Sequence, residues 1–169
     1  MTIYKSKKTS GFTLIELLVV IAIIALLSSV VMSSVASARM KSRNATRMET
    51  LKTLRTALEM YFNDNNRYPS TGGAWWGESV NGQSKTTSGA NAYIPGLTPT
   101  YISVLPTDSL KIKTGWSGYL YLSNGTDYKL LCHGTCPEGT WNSSFLFYDP
   151  RRPTNAWQVS SSQTARNGW

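Results

Sequence analysis

Histidine occurs once in this chain, at His133, and cysteine twice, at Cys132 and Cys136. A catalytic imidazole would have to be His133, and no Ser/His/Asp grouping, phosphate-binding glycine loop or paired acid/base motif accompanies it. The cluster Cys132, His133 and Cys136 also falls short of a zinc signature, with no second histidine to complete the ligand set. Acidic residues are scarce, nine Asp and Glu against seventeen Lys and Arg, for a net charge of +8. Charge of either sign is missing altogether from Leu17 to Ala38, a run of 22 residues. At 169 residues the chain has room for one ordinary domain plus a membrane segment or tail, which excludes a multidomain enzyme.

The uncharged run is long enough to cross the hydrocarbon core of a bilayer, which needs about 20 apolar residues. An ordinary secretory signal is the alternative, with Ser33 to Ala38 as its small-residue cleavage region. Against it, the run exceeds a typical signal core, and helical periodicity continues directly beyond it. An excess of basic residues points to nucleic acid, an anionic membrane surface or nothing specific, and position separates these. Lys5, Lys7 and Lys8 precede the run, and Arg39, Lys41, Arg43, Arg47, Lys52 and Arg55 follow it. The basic residues therefore flank a membrane segment.

The segment Lys7-Lys8-Thr9-Ser10-Gly11-Phe12-Thr13-Leu14-Ile15-Glu16 resembles the class III signal of type IV prepilins and type II secretion pseudopilins. The resemblance implies a prepilin peptidase that cuts between Gly11 and Phe12 on the cytoplasmic side and methylates the new amino terminus of Phe12. A glycine before the cut suits a protease site, because a residue without Cβ crowds it least. Glu16 would then be the fifth residue of the mature chain. An ionisable group near the centre of an apolar helix costs about 2.5 to 3.5 kcal/mol and needs a partner. The resemblance supplies one, the α-amino group of Phe12 on a neighbouring subunit; the bland alternative is a carboxylate close enough to the interface to reach water. The implied partners are identical or related pilin subunits, the prepilin peptidase, an inner-membrane assembly platform and membrane lipid. The implied location is the inner or cytoplasmic membrane, single-pass with an extracytoplasmic domain, and then a filament.

Beyond the membrane run, Met48, Leu51, Leu54, Leu58 and Tyr61 or Phe62 recur at spacings of three and four, one apolar stripe on a continuing helix. Arg47, Lys52, Arg55 and Glu59 read as lying largely off that stripe. The stop is Asn63-Asp64-Asn65-Asn66-Arg67-Tyr68-Pro69, which predicts a helix end near Asn65. Asn-Arg-Tyr-Pro after a helix again resembles the family. One departure is that many members carry glycine and proline in the membrane half, where this chain has Ala25 and Ser33. A helix without that break predicts a straighter, less extensible filament core.

The expected fold is α+β and pilin-like, a long N-terminal transmembrane helix packed on a small antiparallel β-meander. The expected organisation is a cleaved leader at 1–11, a membrane and polymerisation helix at 12–38, its soluble half at 39–66, and a loop-plus-sheet domain at 67–169 ending in a tail. Residues 70–100 read as a long surface loop interrupted by Trp75 and Trp76, which pin the loop or form a binding surface. Gly118 to Leu122 and Tyr128 to Cys132 read as strands joined at Asn124-Gly125, with Phe145 to Tyr148 as the third strand. From Asp149 onward the chain reads as a wrapped or loose tail. In an oxidising extracytoplasmic space Cys132 and Cys136 would form a disulfide, free thiols being the alternative. No cofactor is expected; calcium at Asp108, Asp127 and Asp149 is an alternative taken from the family, whose pattern Ser109-Leu110-Lys111 breaks.

The function these readings imply is a structural subunit of a type IV pilus-like filament. One alternative is a pseudopilin of type II secretion or of DNA uptake. Another is a minor tip subunit that binds DNA or a surface through Trp75, Trp76 and basic residues.

Overall fold

The computed structural model describes residues 11–80, 85–110 and 115–169. Its elements in chain order are α1 (Leu14–Asn65), β1 (Trp76–Ser79), β2 (Ser117–Ser123), β3 (Tyr128–His133), β4 (Ala156–Ser160) and α2 (Gln163–Gly168). The chain divides into two compact units that meet after Met40. Residues 1–10 of the expected leader lie outside the described residues, as does Lys111 in the stretch that breaks the calcium pattern.

The first unit is helical from Leu14, and its apolar side chains stay uncovered: Leu14 is 88% exposed and Met32 74%. Ser29 and Ser33 turn their hydroxyls back onto the carbonyls of Leu26 and Val30, at 2.8 and 2.9 Å. These polar groups are thereby satisfied within the helix instead of asking for water.

The second unit is α+β. Its four strands form one antiparallel meander in the order β1-β2-β3-β4, and the helical stripe beginning at Asn44 belongs to the same core. Leu51, Leu54 and Leu58 are fully buried, and Met48, Tyr61 and Phe62 pack partly buried against them with Tyr119, Tyr121, Leu130 and Trp157 from the sheet. Burying each leucine contributes about 1.5 to 3 kcal/mol, enough to tie this part of the helix to the sheet. The helix stops where expected, because Asn66 takes a left-handed φ of 52° and its N–H closes onto Phe62 O at 2.8 Å. Tyr68 then packs between Phe62 and Tyr128, with ring centroids 4.8 and 4.7 Å away.

The β2–β3 hairpin turns at Asn124-Gly125, with Ser123 paired to Tyr128. Asn124 Oδ1 accepts from the N–H groups of Thr126 and Asp127 at 3.0 and 2.8 Å, which makes a four-residue loop instead of a two-residue turn.

The third-strand assignment is corrected. Phe145–Tyr148 is a turn in which Phe145 N–H bonds Asn142 O and Tyr148 N–H bonds Phe145 O, leaving one isolated bridge from Tyr148 to Trp157. The strand next to β3 is β4, from the stretch read as tail. Local turn closure after Asn142 outcompetes the β-propensity of Phe145 to Tyr148, whereas Ala156 to Ser160 gains a full ladder.

The C-terminal segment is accordingly anchored. Lys129 is fully buried, and its ammonium donates to Asp149 Oδ1, Arg166 O and Trp169 O at 3.2, 2.9 and 2.7 Å, filling all three donor positions. The long-loop reading of residues 70–100 is also corrected, since β1 and the fully buried Tyr93, Ile94 and Leu97 lie within it.

Candidate functional site

Gly11, Phe12 and Thr13 precede the first turn of α1 without regular structure. Thr13 and Glu16 form a reciprocal cap there. The Glu16 carboxylate accepts from Thr13 N–H at 2.8 Å and Thr13 Oγ1–H at 2.6 Å, while Glu16 N–H donates to Thr13 Oγ1 at 3.3 Å. Glu16 thus has a partner just before its own helix, which the sequence reading did not name. A threonine three positions before a glutamate at the start of an apolar run was the available signal. A Cβ added at Gly11 would meet nothing within 4 Å, so the fold itself makes no demand for glycine at this position. Phe12 is 85% exposed. The helix that follows contains an 18-residue window of mean hydropathy 2.9 with none of that window buried, long and apolar enough to cross a membrane.

In the second unit the sheet and helix enclose a charge cluster whose centre the sequence reading misplaced. Arg47, expected off the stripe, is 1% exposed. Its guanidinium makes a fork to Asp108, Nε to Oδ2 at 2.6 Å and a terminal nitrogen to Oδ1 at 3.0 Å, and its other terminal nitrogen reaches Asn44 Oδ1 at 3.1 Å and Glu138 Oε1. Arg43 Nε also donates to Glu138 Oε1, at 2.8 Å. Burial pushes the Asp108 carboxyl up, but hydrogen bonds from Arg47 and the Leu110 N–H outweigh it and hold Asp108 below the usual carboxylate range. The Arg43 hydrogen bond does the same for Glu138. Spacing alone could have flagged Arg47, because 47, 51, 54 and 58 share one helical face.

Cys132 and Cys136 form a disulfide with Cα atoms 5.7 Å apart. The loop they close turns at Gly134, with φ 73°, where a Cβ would come within 2.7 Å of Trp116 O. That turn leads directly to Glu138 at the Arg43 and Arg47 guanidinium groups. Ligand atoms of Asp108, Cys132 and Cys136 lie within 4.8 Å of one another. Their chemistry does not suit a metal: disulfide sulfurs are not thiolates, and both Asp108 oxygens are taken by Arg47. The aspartates named for calcium stand in three separate networks, Asp108 with Arg47, Asp127 with Ser161 and Asp149 with Lys129 and Arg152.

Trp75 and Trp76 are half-buried. Trp76 packs against the main core and carries Lys85 Nζ 4.0 Å over its ring; Trp75 packs against a smaller cluster with Leu120 and Leu131 and lies 5.3 Å from the Arg152 guanidinium. The pair ties its segment to the sheet.

An α+β fold of this kind, with an apolar N-terminal helix and a small antiparallel sheet, is pilin-like. The comparisons agree with that class. A family model for the prokaryotic N-terminal methylation motif matches residues 6–32. The chain is similar to type II secretion system core protein G of Aeromonas hydrophila, 39% identical over 67 residues, 40% of this chain and 47% of that protein. The protein of the same name from Pectobacterium carotovorum subsp. carotovorum is 43% identical over 61 residues, 36% of this chain and 39% of that protein. For Escherichia coli (strain K12) the figures are 39% over 64 residues, 38% and 44%. The match thus spans less than half the length of these relatives. No solved structure matches the chain.

Proposed function

We propose that this chain is a structural subunit of a type IV pilus-like filament, cut between Gly11 and Phe12 by a prepilin peptidase, methylated on Phe12 and assembled through its N-terminal helix. The observation that carries this reading is a methylation motif opening directly onto an apolar helix whose most apolar 18-residue window has no buried residue among the described residues. Such a surface is costly in water and stable only in lipid or against other helices. Inserted in the inner membrane as a single pass, the helix holds the subunit for an assembly platform; packed with its copies, it builds a filament core.

In this account Glu16 docks onto the Phe12 ammonium of a neighbouring subunit. The two Thr13 donors preorganise its carboxylate, which keeps lone pairs for a third partner. Glu16→Gln separates the two roles, since glutamine still caps a helix but carries no charge. Retained membrane insertion with lost assembly is the expected result; normal filaments from Glu16→Gln would refute the electrostatic docking.

A pseudopilin of a type II secretion system is the second reading, favoured by the similarity to core protein G. Intact-mass analysis of the membrane-extracted protein tests what the two share, by loss of residues 1–11 and gain of one methyl group. Retention of Met1 in the assembled subunit defeats both. Deleting the gene then separates them, because a pilus subunit removes surface filaments and a pseudopilin removes exoprotein release.

A further inference from the structure

The family resemblance suggests calcium at Asp108, Asp127 and Asp149, and in the second unit two of these carboxylates meet cations of the protein itself. Calcium takes about six to eight oxygens, drawn from carboxylates, backbone carbonyls and waters. Asp149 presents part of such a set, since its fully buried carboxylate lies with the carbonyls of Arg166 and Trp169 around a single point. The Lys129 ammonium occupies that point, 3.2 Å from Asp149 Oδ1, 2.9 Å from Arg166 O and 2.7 Å from Trp169 O. Three acceptors at this range take three N–H donors, which an ammonium has and a neutral amine lacks, so the group carries its charge. Burial pushes the Lys129 pKa down, and the Asp149 carboxylate opposes that shift. A second cation reaches the same oxygens: a terminal nitrogen of Arg152 lies 3.4 Å from Asp149 Oδ2 and 3.2 Å from Trp169 O. One carboxylate therefore faces two positive charges. Asp108 and Glu138 are matched likewise by Arg47 and Arg43, two carboxylates to two guanidinium groups.

We infer that Lys129 is the built-in cation of the oxygen set at Asp149, in the role a metal ion would fill, and that the second unit is organised without calcium. The bar to calcium is charge, because a carboxylate oxygen that accepts one bond still has a lone pair to give. A divalent ion placed on the oxygens of Asp149 or Asp108 would meet an ammonium or guanidinium already in contact with them, and like charges repel strongly at that range once water is excluded. Asp127 brings one carboxylate to its own network with Ser161, and calcium affinity follows the number of charged ligands. The ammonium ties β3 to the turn at Asp149 and to the C-terminal segment, at sequence separations of 20, 37 and 40 residues. A cation attached to the chain is present at every calcium concentration, so the docking of this segment is not coupled to a free ion. The inference concerns residues of the second unit alone and holds for a pilus or a pseudopilus subunit.

The test uses the full-length protein in neutral-detergent micelles, freed of divalent ions with EGTA. One portion then receives calcium chloride to about 5 mM, above the dissociation constants of weak extracellular calcium modules, and the other sodium chloride to the same ionic strength. The urea midpoint, read by tryptophan fluorescence, should be the same in both. A rise that saturates with calcium and is reversed by EGTA would overturn the inference. Lys129→Met keeps much of the side chain's bulk and removes its charge. Amide hydrogen exchange across residues 163–168 should then become faster by about tenfold or more, as the segment loses the group that holds it. Exchange as slow as in the parent protein would overturn the role given to the ammonium. If Lys129→Met does not fold, the calcium comparison on the parent protein still decides.

Discussion

Residues 14–40 and 41–65 of α1 share one backbone geometry and differ in what covers them. In the first stretch large apolar side chains project into the surroundings all round the helix, so no face is distinguished. In the second a single face is buried, and a charged residue, Arg47, sits on it. The contrast shows how little the helix itself decides. Hydrogen-bonded backbone is the same in both; the medium each face is suited to, lipid or a protein core, is set by side chains. A uniformly apolar surface suits a solvent such as lipid or a ring of like helices, whereas a stripe suits one defined partner.

The sharpest way to break the comparison is at Arg47. Arg47→Ala leaves Asp108 buried without its counter-charge and should cost about 3 to 5 kcal/mol in urea unfolding followed by tryptophan fluorescence. Replacing the pair together, Arg47→Met with Asp108→Leu, should recover much of that loss, because the unpaired charge is gone. A loss from the double replacement as large as from the single one would show that the ion pair is not the source.

Leucine truncation sets the two stretches against each other directly. Leu54→Ala should destabilise the second unit by about 2 to 5 kcal/mol through the cavity it leaves. Leu27→Ala should change the same measurement by less than about 0.5 kcal/mol, since Leu27 is 60% exposed. Equal effects would mean that burial of the leucine is not what separates the two stretches.

Opening the disulfide should have a smaller effect. Replacing both Cys132 and Cys136 with serine frees a short loop, worth about 2 kcal/mol by chain entropy, and loosens Glu138 from the arginines. A midpoint unchanged from the parent protein would show that the loop is held by the ion cluster alone.

Acid sharpens the same comparison more gently. Asp108 and Glu138 have folded-state values below their ordinary ones, so the unfolded chain binds protons more readily as the pH falls. Their stabilisation is complete above about pH 5 and is lost progressively as the pH drops below about 4 through the lowered folded values. Urea midpoints measured from pH 7 to pH 3 should therefore fall, and should fall less in the Arg47→Met, Asp108→Leu double variant. Parallel curves for the two proteins would remove the cluster from the acid response.

Much of this architecture was readable from residues in order. An uncharged 22-residue run, a spacing of three and four in leucines, a cluster of Asn before Pro69 and an Asn-Gly between strand-like segments are all local patterns. Each corresponds to something the chain does within a few residues, so the membrane-length helix, its stop and the β2–β3 hairpin follow from composition and spacing. The mistakes were long-range ones. Phe145 to Tyr148 has the stronger strand propensity, yet Ala156 to Ser160 is the segment that finds the edge of β3. Arg47 was assigned to solvent because charge is usually there, and nothing near it in sequence announces Asp108, 61 residues away.

The amino-acid order by itself determined that one end of the molecule would be apolar, helical and introduced by a methylation motif, because those properties depend on adjacent residues and on their hydration. Only the tertiary structure decided which charges would be buried in pairs and that Lys129 would hold the C-terminal segment. Those outcomes depend on which distant groups share a desolvated space. Coulombic attraction between such groups is weak in water and becomes decisive only after folding has removed it.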